Sequence, residues 1–167
     1  AAIKNMGSKA AQAVAEGREI NGKYINIFDV CKINSHLINR KSIEALVLSG
    51  ACDNLVGHRA QQFEIIDDAL RWGQKMCEDA ASSQESLFSG DTAIAEIAPP
   101  ALPDIDEWAA EDCLHREKEI IGFYLSGDPL EKYMDDIKEF ANINLAEIPD
   151  KKPSEIRIGG IIRSVNT

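Results

Sequence analysis

Between His58 and Cys77, apolar or small residues recur every three or four positions, at Phe63, Ile66, Leu70, Gly73 and Cys77. That spacing predicts an amphipathic helix of about five turns over 58–77. One helix cannot bury its own stripe, so the chain needs other helices to cover it. Two more stretches supply them. Gly7 and Gly22 bracket a short helix with Ala10, Ala11 and Val14 on one face and Ser8 as its cap, and Asn21-Gly22 stops it. A second runs from Asn39 to Ser49 with Ile43, Leu46 and Val47 together, opened by Asn39 or Ser42 and ended by Gly50. Tyr24-Ile25-Asn26-Ile27-Phe28 alternates like a strand, yet a lone five-residue strand among helices has no partner, so none is expected there. The fold class is mainly α.

The pattern breaks after Cys77. Residues 78–107 are rich in Ala, Ser, Asp and Glu with Pro99, Pro100 and Pro103, and they read as an acidic, mobile linker. Helical order is expected again over 108–153, with Leu114, Ile121 and Leu125 in a helix closing at Ser126-Gly127. Asp128-Pro129-Leu130-Glu131 reads as a capping-box start, and Leu130, Tyr133, Met134, Ile137 and Phe140 as that helix's buried face. Residues 154–167 read as a strand with a glycine bend at Gly159-Gly160. A single strand implies a β-domain continuing past the chain, and the start Ala1-Ala2-Ile3, without methionine, implies excision from something longer.

The 167 residues carry a net charge of −10, which taken whole disfavours nucleic acid. The distribution says otherwise: residues 1–63 are net +3, 64–119 net −11 and 120–167 net −2. Two surfaces with different partners follow. Cys31, Cys52, Cys77 and Cys113 are too widely spaced for a zinc site, and His36, His58 and His115 do not complete one, so reduced thiols in a cytosolic protein are expected. No apolar run is long enough to span a membrane, and no secretory leader is visible.

Three stretches carry candidate chemistry. Lys4-Asn5-Met6-Gly7-Ser8-Lys9 suits a hairpin between helices. Its glycine permits close backbone approach, the following helix offers free N–H groups, and Lys4 and Lys9 are placed to neutralise phosphate. The alternative is an ordinary helical corner with solvated lysines. Arg40 and Lys41 sit where the helix dipole disfavours cations, so either a nearby anion or simple solvation explains them. Gln84-Glu85-Ser86-Leu87-Phe88 places a large apolar pair in a polar segment, as a peptide docking into a partner's pocket would, or as local packing would. No paired carboxylates in a strand, phosphate loop or nucleophile elbow is present, so no catalytic site is visible.

Taken in order, these stretches resemble the carboxy-terminal part of the bacterial replicative polymerase family, the DNA polymerase III alpha subunits. Ala2 to Ala10 resembles the family's first helix-hairpin-helix, and Asn39 to Leu46 with Ser49 to Asp53 its second corner, giving a tandem over 1–57. Gln84 to Phe88 is similar to its internal sliding-clamp-binding peptide. Glu119-Ile120-Ile121-Gly122-Phe123-Tyr124-Leu125-Ser126-Gly127-Asp128-Pro129-Leu130 resembles its carboxy-terminal signature, and Ile156 to Val165 the first strand of an OB domain. The family has glycine at the position of Asn5, where asparagine still tolerates a left-handed backbone, and histidine at that of Asp128, which still caps. The resemblance implies a fragment of a DNA-directed DNA polymerase, a nucleotidyltransferase whose Mg2+-binding carboxylates lie outside this chain. It further implies duplex DNA contacts at Lys4, Asn5, Met6, Gly7, Ser8, Lys9, Arg40 and Lys41. A clamp tether at Gln84, Ser86, Leu87 and Phe88 would serve processivity, with other polymerase III holoenzyme subunits reached through the parent. A helix-hairpin-helix module of a repair protein, or a helical protein-interaction domain, are the alternatives.

Overall fold

A computed structural model describes residues 3–86, 97–143, 156–162 and 165. Its described residues contain helices and no strand, in two units, 1–125 and 126–167.

The first unit begins with α1 (Ser8–Asn21), which ends where Gly22 turns to φ 87° and returns its N–H to Arg18 O. Its cap is Gly7, not Ser8, and no side chain caps it. α2 (Ile27–Ile33) was not expected. Asn26 accepts from Asp29 N–H while the Asp29 carboxylate accepts from Asn26 N–H, a reciprocal cap that starts a seven-residue helix from the alternating stretch. α3 (Arg40–Leu48) is opened by Asn39, whose side chain accepts from Ser42 N–H at 3.0 Å.

The expected five-turn helix is two helices, α4 (Arg59–Glu64) and α5 (Ile66–Ser86), separated at Ile65. His58 and Gln61 close a capping box at the start of α4. α5 then runs nine residues into the stretch expected to be linker. The sequence Glu78 to Ser86 holds no glycine or proline and includes alanine, glutamate and glutamine, so a helix already nucleated by packing propagates through it. Met6, Ile27, Phe28, Val30, Cys31, Ile43, Val47, Ile65, Ile66 and Ala69 form one core among these helices. α2 lies closest to α5: Phe28 meets Trp72 edge-on with ring centroids 5.7 Å apart.

Residues 97–109 correct the expectation of a mobile linker. They form an extended strap tied to α4 and α5 by three side chains that reach its carbonyls. Trp72 Nε1 donates to Ile97 O at 3.1 Å, Gln61 Nε2 to Pro103 O at 2.9 Å, and His58 Nε2 lies 3.1 Å from Ile105 O. Leu102 covers Gly57, and Trp108 meets Phe63 at 5.5 Å. Prolines suit such a strap because they fix φ and have no N–H to leave unpaired. α6 (Ala110–Ile121) follows and stops at Gly122, φ 96°.

In the second unit, Asp128 accepts from Leu130 N–H at 2.9 Å, a turn two residues on rather than the expected capping box. A 3-10 turn, Glu131–Tyr133, leads into α7 (Met134–Phe140). The face expected to be buried is largely open, with Tyr133, Met134 and Phe140 exposed. Residues 156–162 are in neither helix nor strand. Arg157 is held by Asn142, which gives its N–H to Arg157 O and takes Arg157 N–H on its side chain. The strand expected over 154–167 therefore has no ladder among the described residues, as a strand without a neighbour must.

Candidate nucleic-acid interface

The hairpin preceding α1 is built on Met6. That side chain is 6% exposed and sits in the core, and its N–H donates to Ile3 O at 3.3 Å to close the turn. Met6 therefore anchors the hairpin from inside. The chain reverses at Asn5, whose φ of 66° is the only left-handed value at a non-glycine among the described residues. Gly7 follows with φ −67° and ψ 149°, which any residue adopts; a Cβ there would meet nothing within 4 Å. The conformational demand thus falls on Asn5, and Gly7's contribution is an open surface.

Lys4, Asn5, Gly7, Ser8 and Lys9 are all exposed at this corner. α1 starts there with no side-chain cap hydrogen bond among the described residues and no acidic residue in its first turn. First-turn amides, the positive end of a helix dipole and two exposed lysines are the features that suit an anion such as phosphate. Five of the six residues expected in this cluster are brought together, and the sixth holds them up.

The second corner is different. Arg40 is ion-paired to Glu44 at 2.7 Å and to Asp67, and those hydrogen bonds, Asp67's first, push its pKa upward. The anion that explains a cation at the start of α3 is supplied by the protein itself. Lys41 is exposed.

Between α3 and α4 lies a charge network that the sequence did not reveal. Arg59 grips Asp53 with two hydrogen bonds, Nε to Oδ1 at 2.6 Å and Nη2 to Oδ2 at 2.5 Å. Its Nη2 also reaches Glu117 Oε1 at 3.2 Å, and Glu117, fully buried, takes Leu125 N–H on Oε2 at 2.9 Å. The bond to Asp53 raises the Arg59 pKa further, so it stays charged. Glu117 stands in the charged run Arg116-Glu117-Lys118-Glu119, and only the packing of α6 shows which of its carboxylates turns inward.

Cys31 and Cys52 are buried thiols, each pushed up to about 12 chiefly by desolvation, and the described cysteines are free. Among the described residues no group of three or more His, Cys, Asp or Glu is placed to hold a metal ion, and no helix is long and apolar enough to cross a membrane. Gln84 and Ser86 fall in the last turns of α5; Leu87 and Phe88 lie outside the described residues.

Comparison with known proteins agrees with this geometry. Residues 1–62 match the family model described as helix-hairpin-helix motif. The DNA polymerase III subunit alpha of Neisseria meningitidis serogroup A is 31% identical over 167 residues, covering 99% of this chain. That of Borreliella burgdorferi is 31% identical over 98% of it, and that of Vibrio cholerae 29% over 96%. The chain spans about 14% of the length of each of these relatives. The hairpin match and the nearly end-to-end similarity identify the chain as homologous to one segment of the bacterial DNA polymerase III alpha subunit.

Proposed function

We propose that this chain holds duplex DNA without sequence preference through the hairpin at Lys4, Asn5, Gly7, Ser8 and Lys9, with Lys41 as a further contact. The observation that carries this reading is the uncapped, acid-free start of α1, exposed between two exposed lysines. Contacts of that kind go to phosphate and position the protein without reading bases. On this reading the chain is a non-catalytic part of a DNA-directed DNA polymerase of the bacterial cytoplasm, with Mg2+ held by residues outside it. Fluorescence anisotropy on a labelled duplex tests it. Lys4→Ala with Lys9→Ala should weaken binding and flatten the plot of log K against log salt by about 1.8, about 0.9 for each phosphate no longer neutralised. An unchanged slope refutes the assignment.

The same reading gives Gln84, Ser86, Leu87 and Phe88 a second role, tethering the polymerase to the sliding clamp. Its support is the resemblance of Gln84 to Phe88 to the family's clamp peptide and the apolar Leu-Phe pair in a strongly acidic stretch. A ring-bound tether raises the enzyme's effective concentration at the primer end, as processive synthesis needs. A peptide spanning these residues should bind a bacterial clamp, and Leu87→Ala with Phe88→Ala should abolish that. Undiminished binding by the double variant defeats the tether.

A further inference from the structure

α6 follows the region matched as helix-hairpin-helix, yet it touches both halves of that region. Near its end, Ile120 O accepts Lys4 N–H of the first hairpin at 2.9 Å. Three residues earlier, on the same helical face, Glu117 takes Arg59 at 3.2 Å, and Arg59 is forked onto Asp53 in the turn between α3 and α4. Gly50 completes the fit: at φ 78° it leaves room for the guanidinium, whose Nη2 would stand 2.3 Å from a Cβ placed there. α6 also packs on α3, the helix that carries Lys41.

Well-packed apolar residues of similar volume often fill such gaps as stably as buried ion pairs do. What the charges add is direction, because a planar guanidinium shared between two carboxylates fixes an angle that apolar packing leaves loose. We propose that Glu117, acting through Arg59, is a positioning residue for DNA binding. α6 is a brace that sets the first hairpin's lysines and Lys41 of α3 as one array on a single duplex. The inference rests on the DNA-binding reading above.

The test uses the 167-residue chain, a labelled duplex and anisotropy across a range of salt, with thermal melts to report the folded fraction. Glu117→Gln keeps the side chain's size and its oxygen for Leu125 N–H but loses the charge facing Arg59. Its salt slope should shrink by about 0.9, one phosphate's worth, with roughly tenfold weaker binding at moderate salt. Lys41→Ala should shrink the slope equally in the unmodified chain and by nothing further in the Glu117→Gln background. Arg59→Lys keeps a cation but cannot span both carboxylates, and should match Glu117→Gln; it carries the test if the glutamine variant does not fold. A folded variant with the original slope, or weakening that merely tracks the unfolded fraction, overturns the brace. So does a Lys41→Ala chain with the original slope, since nothing would then be positioned. Absence of duplex binding by the unmodified chain defeats the DNA-binding reading itself, and the brace with it.

Discussion

Gly73→Ala sets helix propensity against packing, and the geometry says which wins. In an exposed helix the change would gain about 0.8–1.0 kcal/mol. Here the added methyl carbon would stand 2.8 Å from the Cys31 carbonyl carbon, 2.8 Å from Lys32 N and 2.9 Å from Cys31 O. Non-bonded carbons settle at about 3.5–4.0 Å, so α2 and α5 must separate by several tenths of an ångström or more. The atoms in the way are backbone, which cannot swing aside. α2 is also pinned where it would have to give: the Cys77 thiol donates to Lys32 O at 3.1 Å, Ser35 Oγ donates to Cys77 Sγ at 3.1 Å, and Phe28 rests on Trp72. Overpacking of this kind costs about 1–3 kcal/mol beyond what relaxation recovers. Because the clash is with backbone, the cost falls in the upper part of that range, about 2–3 kcal/mol, and a net loss of about 1–2 kcal/mol remains after the propensity gain. Urea unfolding followed by circular dichroism and tryptophan fluorescence measures it, and a melting temperature lower by several degrees should accompany it. A Gly73→Ala chain as stable as the original, or more so, would refute the reasoning, because it would mean that α2 and α5 do not approach this closely.

Asn5→Gly and Asn5→Ala should separate by about 1–2 kcal/mol in thermal melts, glycine the more stable, since φ 66° penalises a Cβ without a compensating polar group. Equal stabilities would place Asn5 outside the left-handed region. Cys31 and Cys52 have folded pKa values raised from an ordinary 9.0 to about 12, so their contribution is complete below pH 9 and declines as pH rises from there towards 12. Urea midpoints taken from pH 8 upward should show stability falling by about 1.4 kcal/mol per pH unit for each thiol above pH 9; a flat profile to pH 10.5 would contradict their burial.

What the sequence revealed was what local chemistry encodes. Asn39 opening α3, Gly22 and Gly50 closing helices, and Asn5 bearing a left-handed backbone all follow from side chains acting on their own turn. α2 is not legible from periodicity, because seven residues are too few to display a helical period, although Asn26 and Asp29 stand at capping distance. The break at Ile65 was invisible for the opposite reason: the apolar stripe continues through it. The strap at 97–109 has no periodicity at all. Its order comes from His58, Gln61 and Trp72, around 25 to 47 residues away in sequence. The buried pair of Arg59 and Glu117 is 58 residues apart, and composition gave no reason to join them. Of the candidate site, the hairpin was legible because it is local, whereas the true partners of Arg40 were not.

Those partners change the charge argument for DNA. The net +3 of residues 1–63 counts Arg40 and Arg59 among its cations, but Arg40 is held by Glu44 and Asp67 and Arg59 by Asp53 and Glu117. Both guanidiniums are committed to carboxylates within the protein, two of them from outside residues 1–63. The cations left at the proposed surface are Lys4, Lys9 and Lys41, all exposed. Three neutralised phosphates correspond to a salt slope near −2.7, at about −0.9 each, whereas five would give about −4.5. Binding by the isolated chain is therefore expected to be weak and lost at modest salt. Measured slopes distinguish the cases directly. A value near −4.5 would mean that Arg40 and Arg59 leave their carboxylates for phosphate, which would overturn the structural role assigned to both.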